Sequence, residues 1–107
     1  MPAYNAGITL KETFDSIPKE YVDDIILIDD FSSDNTVEIA HSLNINTCCH
    51  TQNMGYGANQ KTCYKEALKL GADIVIMLHP DNQYDPREVP AIATMLAYSD
   101  YDCIIAN

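Results

Sequence analysis

Two apolar runs that stop abruptly in polar residues limit the folds open to this chain. One is Asp24–Asp30, DIILIDD; the other is Ile74–Leu78 inside Asp73–Pro86, DIVIMLHPDNQYDP. Each is rich in β-branched residues and far shorter than the ~20 residues of a membrane span, so each predicts a strand buried on both faces. In open α/β sheets ligands gather outside the carboxyl ends of the strands, where loops converge and helix N-termini point. His79, Asp81, Asn82, Gln83 and Asp85 therefore become candidates for a site.

The segments between these runs have helical spacing. Thr9 with Glu12 has the form of a capping box, and Leu10, Phe14 and Ile17 follow at i, i+4 and i+7, predicting a helix over 9–17 closed by Pro18. Phe31–Asn35 supplies turn and N-cap residues for a second helix bearing Val37, Ile39, Ala40 and Leu43, and 46–51 reads as a weak strand. A third helix is predicted over 58–70, with Cys63, Ala67 and Leu70 on one stripe and Gly71 as its C′ residue. Asp85, Pro86 and Glu88 fit N-cap, N1 and N3 of a last helix with Val89, Ile92, Ala93 and Leu96 inward, although Pro90 should distort its start. A final strand is predicted over 101–106. The alternation predicts an α/β fold, a mostly parallel sheet with helices on both faces, formed by one domain over 1–107.

Composition narrows the function. Sixteen acidic against six basic residues give a formal charge of -10, which argues against nucleic acid or an anionic membrane as the main partner. Cys48, Cys49, Cys63 and Cys103 lack the paired spacing of a zinc ribbon or redox motif and read as reduced, buried thiols of a cytoplasmic protein. Cys48, Cys49 and His50 are a weak zinc candidate, since adjacent strand residues point to opposite faces. Lys61, Lys65 and Lys69 line one stripe of the third helix, a solvated face in preference to an anion site.

Three polar clusters fall at strand ends: PAYN at 2–5, DDFSSD at 29–34 and HPDNQYD at 79–85. Parallel strands bring all three to one edge, where an aromatic ring, carboxylates and a helix N-terminus suit a nucleotide. Other motifs fail. Gly55 and Gly57 begin a GxGxxG, but position 60 is Gln; Asp30, Ser32 and Asp34 have calcium-loop spacing, but Asn35 and His41 stand where Gly and Glu are required. Neither GxxxxGK[ST] nor GxSxG occurs.

Taken in order, PAYN, the Asp29–Asp30 strand end with Ser32 and Asp34, NMGYGA at 53–58, GAD at 71–73 and the D-x-Q-x-D-P segment at 81–86 resemble the nucleotide-sugar-binding half of family 2 glycosyltransferases. The similarity is greatest to the branch containing dolichyl-phosphate mannose synthase and its prokaryotic relatives. The resemblance implies a GT-A fold, a UDP- or GDP-linked sugar donor held with Mg²⁺ or Mn²⁺, and inversion at the anomeric carbon. By position, Pro2, Ala3 and Tyr4 would line the base and ribose pocket, and Asp30 with Asp29 beside it would hold the base or ribose. The family's D-x-D falls on His79–Pro80–Asp81, so Asp81 would touch metal or diphosphate, with Gln83 assisting. A divalent ion there would neutralise charge on the departing diphosphate. His79 and Ala6 depart from the pattern; imidazole accepts Mn²⁺ but suits Mg²⁺ poorly. The alternative for His79 is a strand-end hydrogen bond to backbone, and for Asp29, Asp30 and Asp81 helix capping or plain exposure.

The resemblance also implies a first strand ahead of PAYN, lying in mid-sheet between 24–30 and 73–80, and an acceptor-binding half with the catalytic base beyond residue 107. No residue here is a convincing base, so the chain is expected to be nearly inactive alone, as part of a transferase whose parent is cytoplasmic or peripheral to a membrane. The competing expectation is a non-catalytic module that self-associates through unpaired strand edges.

Overall fold

The computed structural model describes residues 1–106. Their order is β1 (Pro2–Ala3), α1 (Leu10–Ser16), a 3-10 turn (Lys19–Tyr21), β2 (Ile26–Asp29), α2 (Thr36–Ser42), β3 (Asn46–Cys49), α3 (Tyr56–Lys69), a second 3-10 turn (Pro86–Glu88) and α4 (Val89–Tyr98). The strands form a parallel sheet in the order β1-β2-β3, with Pro2 opposite Ile28 and Ile28 opposite Cys48. This is a small α/β fold with a parallel sheet.

Residue alternation along β2 explains the layering. Leu27 is fully buried in a cluster with Leu10, Ala40 and Ile45, where α1 and α2 meet the sheet. Ile28, also fully buried, points the other way, towards α3, which packs on β1 and β2. Burying these two side chains stabilises the fold by roughly 1.5–3 kcal/mol each.

Several sequence expectations need correction. Ile74–Leu78 does not join the sheet: only Leu78 is buried, and Ile74 is 38% exposed. A strand requires a partner, and between this segment and residues 22–26 lies an apolar slot of about 440 Å³, lined also by Met1, Cys63 and Val89. Residues 101–106 likewise form no strand, and Ile105 is 87% exposed. Of the cysteines, only Cys63 is buried. Leu70, expected inside, is 52% exposed and lies at the slot.

Helix boundaries shift for local reasons. Thr9 precedes α1 but makes no cap; its hydroxyl donates instead to the Pro80 carbonyl, so the capping box does not form. Gly55, at φ 86°, turns the chain so that α3 starts at Tyr56 rather than 58. Pro90 is accommodated because Pro86–Glu88 form a 3-10 turn and α4 begins at Val89, which leaves Pro90 in its first turn, where no N–H is needed. Gly71, at φ 81°, closes α3 as expected, with the Ala72 N–H donating to Ala67.

Candidate functional site

The carboxyl edge of the sheet is built from β1, β2 and the turn before α3. Pro2 and Ala3 are buried, Asp30 follows β2, and Asn53, Gly55, Tyr56 and Asn59 approach from α3; with Tyr4 they line a cleft of about 330 Å³. Of the residues expected at the site, the cleft thus joins Pro2, Ala3, Tyr4 and Asp30. Asp29 points elsewhere: its carboxylate accepts from the backbone N–H and hydroxyl of Ser32. Side-chain bonding also fixes the PAYN turn. Asn5, at φ 49°, accepts the Ser33 N–H at 2.9 Å, while Thr36 Oγ1 accepts the Ala6 N–H at 2.9 Å.

Asp30 is 3% exposed and densely bonded. Its Oδ1 accepts from Met54 N–H and His50 Nδ1, both at 2.8 Å, and its Oδ2 accepts the Gly55 N–H at 2.9 Å. Burial alone would raise its pKa, but the bonds from His50, Met54 and Gly55 outweigh it and hold the carboxyl below its ordinary range. A carboxylate offers about four lone-pair sites, and three are taken, so Oδ2 keeps capacity for one further donor.

Asn59 sits on the buried side of the cleft, donating through Nδ2 to the Ile28 carbonyl at 3.0 Å and the Ala3 carbonyl at 3.4 Å. At the rim, Tyr56 and His79 meet edge to face, with the hydroxyl 3.0 Å from Nε2, and Gln60 donates to that hydroxyl at 2.8 Å. His79 is therefore joined to α3 and not to Asp81. The Asp81 loop is held from below: Pro80 accepts from Thr9, and Asn82 bonds Thr13 at 2.9 Å and Glu12 at 2.7 Å. Asp81 itself is exposed, with Oδ1 accepting the Gln83 N–H at 3.0 Å, and Gln83 is exposed beside it.

Among the described residues no three His, Cys, Asp or Glu side chains converge on a metal position. The Asp81 loop offers one exposed carboxylate, with Oδ1 engaged by the Gln83 N–H, as an oxygen donor. No helix among the described residues is long and apolar enough to cross a membrane.

Sequence reasoning overlooked Asn53, Tyr56 and Asn59, and considered His50 only beside Cys48 and Cys49. The NMGYGA motif was the available signal, because a glycine turn entering a helix brings the helix's first inward residues to the sheet edge.

A parallel α/β sheet with a cleft at its carboxyl edge is the arrangement in which open α/β folds bind their ligands. The Glycosyl transferase family 2 profile matches residues 1–107, and the chain belongs to that family. It is 32% identical over 107 residues to an uncharacterized protein of Methanocaldococcus jannaschii, covering 100% of this chain and 44% of that protein. It is 29% identical over 124 aligned residues to the UDP-N-acetylglucosamine–dolichyl-phosphate N-acetylglucosaminyltransferase of Methanococcus voltae, covering 100% of this chain and 49% of the relative. The chain thus spans about half the length of the curated relatives it matches. No solved structure matches.

Proposed function

We propose that this chain carries the donor-binding site of an inverting glycosyltransferase, taking a nucleoside-diphosphate sugar, UDP- or GDP-linked, for transfer to a lipid phosphate or saccharide acceptor. The observation that carries the reading is the cleft bounded by Tyr4, Asp30 and the first turn of α3, in a chain of this family. Tyr4, 57% exposed, offers a ring face to the base, and the open valence of Asp30 Oδ2 suits a ribose hydroxyl. Asp81, with Gln83 beside it, would hold Mg²⁺ or Mn²⁺ together with the diphosphate; such an ion neutralises charge on the leaving group. His79 reaches this ion only if its bond to Tyr56 yields or its other ring nitrogen serves. Among the described residues none is placed as a general base for a hydroxyl acceptor, so transfer to a saccharide by this chain alone should be negligible, whereas an already anionic lipid phosphate would attack without a base.

A thermal-shift panel of UDP, GDP, CDP and ADP, each with Mn²⁺, Mg²⁺ or chelator, tests the reading. A ligand that binds only the native state must raise the melting temperature, by an amount worth about 2.7 kcal/mol at a hundred times its Kd. One nucleotide should stand out, and only with metal. No shift with any pair, from a cooperatively melting sample, would refute a donor site here.

A further inference from the structure

The residue that decides how Asp30 presents itself to the cleft lies outside it. His50 follows β3 and bridges two elements: Nδ1 lies 2.8 Å from Asp30 Oδ1, and Nε2 lies 3.0 Å from Thr62 Oγ1 on α3. Asp30 accepts two backbone N–H groups that hold its carboxyl below the ordinary range, and a carboxylate can only accept, so Nδ1 must carry the hydrogen in this contact. Thr62 has one hydroxyl proton and two acceptors, His50 Nε2 and the Ala58 carbonyl at 3.1 Å. When the imidazole is neutral, Thr62 donates to Nε2. When it is a cation, Nε2 donates to Thr62 and the hydroxyl proton turns to Ala58. In both states Nδ1–H remains on Asp30, and only the Thr62 side of the bridge changes.

We propose that His50 is a positioning residue of the nucleoside cleft. It occupies one lone pair of Asp30 Oδ1 while Met54 takes the other, so that ligand recognition falls to Oδ2 alone. The same carboxylate grips Met54 and Gly55, and hence sets the turn that forms one wall of the cleft and starts α3. Removing the imidazole leaves the carboxylate on the Met54 and Gly55 N–H groups alone and frees one lone pair of Oδ1, so the spacing of Asp30, Gly55 and Tyr56 is held less tightly. This inference rests on the donor-site reading for its consequence in binding, though not for the geometry of Asp30.

The test uses three variants of the chain that separate the two ends of the imidazole. His50→Asn places an N–H near the position of Nδ1, His50→Gln near that of Nε2, and His50→Leu at neither. Nucleotide affinity with Mn²⁺, by calorimetry with UDP and GDP, should stay within about three-fold in His50→Asn. It should fall about ten-fold in His50→Gln and His50→Leu, the size of one charge-assisted hydrogen bond. Amide exchange at Met54 and Gly55 should quicken in the latter two only, whatever their melting temperatures. If His50→Gln binds like the parent, or His50→Asn weakens as much as His50→Leu, the proposal is overturned. If the parent binds no nucleotide, the donor-site reading fails, and the Met54 and Gly55 amides still decide the role of His50. Should the variants not fold, the imidazole nitrogen spectrum of the parent decides: Nδ1 bearing hydrogen supports the proposal, and a neutral ring with hydrogen on Nε2 alone overturns it.

Discussion

Asn59 Nδ2 stands 3.0 Å from the Ile28 carbonyl, so one helix side chain of α3 holds the strand from which the acidic edge of the cleft continues. The amide is 3% exposed and reaches the Ala3 carbonyl of β1 as well, which makes it a clamp between two parallel strands just where they open into the site.

Replacing that amide should therefore cost stability before it costs binding. Asn59→Ala removes the side-chain donor of the Ile28 carbonyl, while the Ala3 carbonyl keeps the Asp30 N–H at 2.9 Å, and is expected to lower stability by about 1 kcal/mol in urea unfolding. An unchanged unfolding midpoint would show that the clamp is dispensable.

Asp81 should behave in the opposite way. It is exposed and bonds only the neighbouring Gln83 N–H, so Asp81→Ala should change stability by no more than about 0.5 kcal/mol. Its effect should be to abolish the difference between Mn²⁺ and chelator in nucleotide titrations. A metal-dependent affinity that survives the substitution would remove Asp81 from metal binding.

Acid should act through the carboxylates of this edge. In Asp30 and Asp34 burial is outweighed by hydrogen bonds, from His50 in one case and from Thr36 and the Gly7 N–H in the other, and both sit below the ordinary range. Asp85, beside Arg87, is lowered to about 2. Groups lowered in the folded state contribute stability that is complete above their unfolded values, near pH 4, and lost as pH falls through the folded ones. Below about pH 4 the urea midpoint should decline down to about pH 2, and this acid limb should be less steep in Asp30→Asn. An acid limb of the same steepness in Asp30→Asn would contradict this assignment.

The amino terminus predicts a change of opposite sign. The Met1 ammonium is buried beside the apolar slot and donates to the Ile26 carbonyl at 2.7 Å; burial lowers its pKa from 8.0. The unfolded chain then binds more protons in the window below pH 8, so stability should rise as pH climbs through it. Adding five β-branched residues ahead of Met1 removes that charge and offers a strand to the slot. The extended chain should melt higher and lose the rise towards pH 8, and an extension that lowers the melting temperature would argue against a strand-shaped slot.

Much of the scaffold was legible because periodicity is a local property. Leu10 with Phe14, the β2 run and the Gly71 stop each announce themselves within a few residues. Of the polar clusters expected at one edge, Pro2, Ala3, Tyr4 and Asp30 share a cleft, whereas Asp29 turns to Ser32 and His79, Asp81 and Gln83 do not line it. What the sequence concealed was partnership. Ile74–Leu78 has a strand's composition, but pairing depends on a neighbour that composition does not reveal. Thr9 looks like a cap, yet the Pro80 carbonyl, distant in sequence, claims its hydroxyl. His50 adjoins two cysteines in sequence and answers to Asp30 and Thr62 in space.

The anchoring of Pro80 and Asn82 to α1 fixes how Asp81 meets whatever it binds. Both neighbours are tethered to Thr9, at the start of α1, and to Glu12 and Thr13 within it, so a shift of the Asp81 backbone breaks these bonds or moves α1, which carries Leu10 in the core. Side-chain rotation is the freedom left to it. On the proposed donor-site reading, an ion or diphosphate has to be brought to this carboxylate, which would serve as a stationary berth rather than a closing jaw.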